Sequence, residues 1–152
     1  MRVLGVDPGA VSGAYALLGE HPKETHVGDV PVVDRQVNAA EWSRIVRYCS
    51  PDVVVIERVG AMPKQGVSST FRFGMGAGLI RGVVAGASLP IVDAVPAVWK
   101  RHFKLDGDPE RSRALAIRRF PKIEGLARKK DHNRADALLI AVWHLETRGD
   151  PV

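Results

Sequence analysis

The stretch "DVVVIE" (52–57) constrains the fold more than any other part of the chain. A continuous β-branched run offers water no polar face, so it belongs to a strand covered on both sides. Such strands sit inside sheets flanked by helices. "RVLGVD" (2–7) has a similar character and ends in Asp-Pro-Gly, a turn signal. "SGAYALLG" (12–19) follows it through a short turn as a second strand. "THVGDVPVV" (25–33) reads as a third, with Pro31 assigning it to an edge.

Ala39, Trp42, Ile45, Val46 and Cys49 recur at helical spacing over 39–49, and Ser50-Pro51 ends that helix. After "DVVVIE" a Gly-rich loop leads into a helix from about Ser68 to Ala87. Gly74, Gly76, Gly78, Gly82 and Gly86 weaken it intrinsically, which suggests close backbone packing against the sheet or a second subunit. "PIVDAV" (90–95) is a fifth strand. Helices follow near 96–103 and 109–120, and a last one over 133–147. Strands joined by short turns run antiparallel and strands joined through helices run parallel. The expectation is an α/β chain with a mixed five-stranded sheet covered by helices.

At 152 residues, 45% apolar and 26% charged, the chain fits one globular domain, 1–152. No apolar run approaches the ~20 residues of a membrane span. The N-terminus lacks the pattern of a signal peptide. Cys49 is alone, so no internal disulfide forms, and a cytosolic protein is the simplest reading. The formal charge of +5 is uneven: residues 100–130 hold 11 Lys/Arg against 4 Asp/Glu. Basic charge gathered in one segment points to a polyanionic partner.

Three acids stand where core residues are expected. Asp7 closes the first strand, Glu57 closes the fourth, and Asp136 shares a helical stripe with Leu139, Ile140 and Trp143. If strands one and four are parallel neighbours, Asp7 and Glu57 meet at their C-terminal ends, the usual place for a site in an α/β sheet. Carboxylates gathered away from water repel one another or take up protons, and a divalent cation removes both problems. Oxygen ligands without thiolates select Mg²⁺ or Mn²⁺. Taken singly, each acid also has a plain structural reading, as turn, ion-pair or capping residue.

"GVDPG" at the first strand, "VVVIERV" at the fourth, "GMGAGLIRGVVAG" between, and "DHNRADALLIA" at the last helix resemble the RuvC family of Holliday-junction resolvases. The resemblance covers nearly the whole chain and is closest in look to the proteins of bacteriophages and prophages. It implies a ribonuclease-H-like fold, a homodimer, and paired Mg²⁺-dependent nicks across four-way DNA. Two metal ions per subunit are implied, with Asp7 between them and Mn²⁺ as a substitute. The family carries Asp or His three residues before the final Asp, and this sequence has Asn133 there. Asp131 is favoured for the missing ligand because of its charge, with His132 as the alternative.

Lys100 matches a functional lysine of the family, and Arg111 falls near a second. Lys64, Arg72, Lys104, Arg128, Lys129 and Lys130 are candidate phosphate contacts. The family also places an aromatic side chain three residues past the Glu, where this chain has Gly60. Met62 and Phe71 could act as apolar wedges there, although packing roles are the simpler expectation for both. Other branched DNA then joins four-way junctions as a substrate. Two further readings stay open: a RuvC-like nuclease that processes RNA, and a non-catalytic module that binds branched DNA. "GVDPGAVSG" also resembles the first phosphate-binding turn of actin-like ATPases. Those proteins need a second such domain, for which 152 residues leave no room.

Overall fold

In a computed structural model, residues 1–9 and 12–148 are described. The strands are β1 (Val3–Asp7), β2 (Ala14–Leu18), β3 (His26–Asp29), β4 (Val32–Val33), β5 (Gln36–Val37), β6 (Val53–Glu57) and β7 (Ile91–Ala94). The helices are α1 (Ala39–Cys49), α2 (Val67–Gly86), α3 (Pro96–His102), α4 (Pro109–Arg119) and α5 (His132–Arg148). Short 3₁₀ turns cover Pro22–Glu24 and Lys129–Asp131.

The main sheet has the order β3-β2-β1-β6-β7. β1 pairs antiparallel with β2 and parallel with β6, and β6 pairs parallel with β7. This is the expected mixed five-stranded sheet. The third strand differs in extent: β3 ends at Asp29, and Val32–Val33 pairs with Gln36–Val37 in a separate ribbon. The break falls at Val30-Pro31, where proline has no N–H to continue the ladder. Asp34 and Arg35, both at positive φ, make the ribbon's turn.

Strand parity divides the core in two. Leu4, Val6, Val54 and Ile56 point to the face covered by α1 and α2, against Trp42, Val46, Ile80 and Val84. Val3, Val53 and Val55 point to the other face, against α5, Trp99 and Ala116. α1 begins at Asn38, whose side chain accepts the Glu41 N–H, and buries Trp42, Val46 and Cys49 at i, i+4 and i+7. The Trp42 indole donates to the Ile80 carbonyl and ties α1 to α2.

α5 is buried on most of its sides, from Ala135 to Leu145. It approaches β1 through Gly5, where an added Cβ would stand 2.0 Å from the Ala137 carbonyl oxygen. Only a residue without a side chain allows helix and strand backbones to come this close. Asp136 precedes Ala137, and Asp7 lies two residues past Gly5, so this contact draws the two acids towards each other.

α2 was expected to pack its glycines against the sheet or a second subunit, and within the chain it buries Gly76, Ile80 and Val84. Gly76 lies against Gln36 and Val37, but a Cβ on Gly74, Gly78, Gly82 or Gly86 would meet nothing within 4 Å.

Candidate active site

Val6 pairs with Ile56 in the parallel β1–β6 ladder, so the next residues, Asp7 and Glu57, end neighbouring strands. Val6 and Ile56 face α2, so strand alternation turns both acids to the α5 side. Asp136, on the first turns of α5, approaches from that side. The electrostatics agree: Asp7 is affected by Glu57 and Asp136, and Glu57 by Asp136. The three acids of the sequence reading are thus brought together.

Burial is the main cause that pushes the Asp7 carboxyl up to about 7, reinforced by the negative charge of Glu57. The Gly9 N–H opposes this by donating to Asp7 Oδ1 at 2.9 Å. Gly9 has φ +58, and a Cβ there would stand 2.0 Å from the Ser12 carbonyl oxygen, so glycine permits the turn. Glu57 is raised by burial, against the hydrogen bond from Trp99 and the charge of Lys100. Asp136 is also raised by burial, with the Ser112 hydroxyl and the charges of Lys100 and His132 pulling the other way. Lys100 acts on all three acids.

Among the described residues, no three His, Cys, Asp or Glu side chains stand close enough to grip an ion unaided. The acids influence one another electrostatically without forming a closed cage. Their chemistry still fits a divalent cation. All three are held towards the protonated state by burial, which is the cost a cation would remove. Asp136 Oδ1 is buried without a hydrogen-bond partner, an oxygen left with an unmet demand.

Asp131 is not among the acids brought together. Its carboxylate accepts from the Arg128 backbone N–H at 2.8 Å and from the Arg128 guanidinium, and stands 3.6 Å from Arg134. These cations hold it below the usual carboxylate range. The 3₁₀ turn before α5 engages Asp131 as a local cap, which competes with any role as a ligand. His132 behaves differently: it acts on Asp136, and its Nδ1 is buried without a hydrogen-bond partner. Asn133 donates to the Ser12 carbonyl at 3.0 Å, joining the start of α5 to the turn after β1.

The basic candidates separate in the same way. Lys64 and Lys104 are exposed at positive φ, and Arg72, Lys129 and Lys130 are exposed. Arg111 pairs with Asp106 and Arg128 with Asp131, so these two charges are partly neutralised. Met62 and Phe71, expected to pack, are exposed at 61% and 68%. Two contributors to the site were missed in the sequence: Trp99, whose indole reaches Glu57, and Ser112, beside Asp136. Their signal was a polar atom on the buried side of a short helix, which periodicity treats as packing.

No protein-family model matches the chain. It is 29% identical over 160 residues to the crossover junction endodeoxyribonuclease RuvC of Methylobacterium radiotolerans, covering 97% of this chain and 74% of that protein. The RuvC of Sorangium cellulosum is 26% identical, covering 98% and 87%. In structure, T. thermophilus RuvC in complex with Holliday junction substrate superposes with a TM-score of 0.71 at 20% identity, over 98% of this chain and 95% of that one. The chain is similar in sequence to RuvC proteins and shares their fold. A fowlpox virus Holliday junction resolvase shares the fold more distantly, with a TM-score of 0.53 at 18% identity. The RuvC-like core carries the acids on β1, β6 and α5, in the chain order of the sequence motifs. No helix among the described residues is long and apolar enough to cross a membrane.

Proposed function

We propose that this chain is a divalent-metal-dependent endodeoxyribonuclease that resolves four-way DNA junctions by paired phosphodiester hydrolysis. The observation that carries this reading is the meeting of Asp7, Glu57 and Asp136 at one end of a RuvC-like sheet, with Asp136 Oδ1 left unpartnered. Asp7, Glu57 and Asp136 would hold a divalent cation, for which Mg²⁺, or Mn²⁺ in its place, suits the donor set, and two ions per subunit are our reading. Bound there, it would supply an activated water and stabilise charge on the departing 3′-oxygen.

The chain's own groups do the rest. Gly9 N–H fixes one oxygen of Asp7, and Trp99 N–H fixes one oxygen of Glu57. Lys100 offsets the gathered negative charge and is suited to meeting the scissile phosphate. His132 is the better candidate for a fourth ligand, because its Nδ1 is unpartnered while Asp131 is engaged by two arginines. Lys64, Arg72, Lys104, Arg111, Lys129 and Lys130 supply phosphate contacts that give salt-sensitive affinity. Arg128 contributes less, because Asp131 neutralises it. The reading of a homodimer is supported by α2, where Gly74, Gly78, Gly82 and Gly86 form an i+4 stripe with open space before it. Met75 is exposed on the same helix. A second copy of α2 can approach that stripe at backbone distance, and two active sites then act on two strands.

The test is an end-labelled panel of four-way junction, flap, linear duplex and structured RNA, with and without Mg²⁺. Symmetric nicks in the junction that require Mg²⁺ support the proposal. Cleavage of RNA alone, or tight junction binding with no cleavage in Mg²⁺ or Mn²⁺, overturns it.

A further inference from the structure

We infer that Trp99 is a positioning residue for Glu57, acting through its indole N–H, and that this side chain tunes how well the site binds a divalent cation. The inference rests on the metal reading above. Trp99 is wholly buried, and its only polar atom is the indole nitrogen. A buried N–H requires an acceptor, and this one donates to Glu57 Oε1 at 3.1 Å. Phenylalanine or leucine could occupy the core here without that demand.

Trp42 provides the contrast within the molecule. It is equally buried, yet its indole donates to a backbone carbonyl, that of Ile80, and joins two helices. Trp99 instead donates to a side chain that shares its surroundings with Asp7 and Asp136.

The chain fixes this contact tightly. Glu57 stands opposite Ala94 in the β6–β7 register, and Arg58 N–H donates to the Ala94 carbonyl. Val95 then caps α3, with Pro96 at its first turn, so Trp99 lies five residues from Glu57's own ladder partner. The next residue, Lys100, holds its ammonium 5.2 Å from the centre of the Trp99 ring. One indole therefore supports both an acid and a cation that acts on all three acids. Committing one Glu57 oxygen to the N–H holds the carboxylate in a single orientation before any ion arrives. Hydrogen bonds of this kind, made to a ligand from behind, change metal affinity by about 10–100-fold.

The experiment compares the parent with Trp99→Phe and Trp42→Phe by calorimetric titration with Mn²⁺, without DNA, at a temperature where all three are folded. Junction cleavage is measured beside it. Trp99→Phe is expected to bind Mn²⁺ about tenfold more weakly. Its kcat should fall by a similar factor, with KM for the junction within twofold of the parent. Trp42→Phe loses a structural hydrogen bond and should leave Mn²⁺ affinity unchanged. If Trp99→Phe does not fold, benzothienylalanine at position 99 replaces the N–H by sulfur at nearly constant shape and reads the same quantity. Mn²⁺ affinity within twofold of the parent, or an equal loss in Trp42→Phe, overturns the inference. A parent that binds no Mn²⁺ and does not cut overturns the metal reading, which is a distinguishable failure.

Discussion

α5 and α2, on opposite faces of the sheet, make opposite use of small residues. α5 meets β1 at Gly5, where no side chain fits, and its neighbours are almost fully buried. α2 carries four glycines that face open space, and Val67, Phe71 and Met75 near its start are exposed. At Gly5 the missing side chain brings Asp136 to Asp7 within one chain. Along α2 it leaves a surface that is complete only when something else covers it. The same residue type builds the site in one region and leaves an interface open in the other.

Substitution at Gly5 should give the largest effect on stability. Gly5→Ala places a carbon against the Ala137 carbonyl, which the helix can escape only by moving off the sheet. Overpacking of this kind costs about 3 kcal/mol, readable as a lower urea midpoint, and junction cleavage should be lost with it. Unchanged stability and cleavage would dissolve the contrast between the two helices.

Asp7 gives the next effect, with the opposite sign. Its folded carboxyl is pushed up to about 7, while an unfolded Asp titrates near ~3.9. Between these values the folded state keeps a proton that the unfolded state has released. That stabilisation is full below about pH 4 and lost as pH rises through 7. In chelator at pH 8, Asp7→Asn should therefore be more stable than the parent, on the order of 2 kcal/mol. At 2–4 °C per kcal/mol this is roughly 4–8 °C in the thermal midpoint. The same variant should not cleave.

Asp131 and His132 sharpen the comparison further. Asp131→Asn should lose roughly 1.5 kcal/mol from its charge-assisted bonds and keep its Mg²⁺ response. His132→Gln should keep its stability and require more Mg²⁺ for half-maximal cleavage. The reverse pattern would restore Asp131 as the ligand.

The smallest effect lies on α2. Gly78→Ala should raise the stability of the monomer, measured at a dilution where no dimer forms, by about 0.5–1 kcal/mol, because within the chain the added methyl meets nothing. Gly78→Leu should remain folded but sediment as a monomer if a second copy covers the stripe.

Much of this was legible in the sequence. The β-branched run 53–56, the Asp-Pro-Gly turn and the stripe of α5 fix strand parity and helix face, and those fix which acids meet. The ribbon at 32–37 was missed because two-residue strands carry no periodicity. Asp131 was preferred to His132 for its charge, and charge alone says nothing about which cations already surround it. Arg128 and Arg134 become its partners only in the folded turn. Trp99 and Ser112 read as packing until the core is assembled around them.

Calorimetric titration of the parent, Asp7→Asn and Asp136→Asn with Mn²⁺ tests the central claim most directly. The account predicts binding by the parent and its loss in both variants, each still folded. Binding of equal strength in all three would contradict the claim that these acids form the metal site.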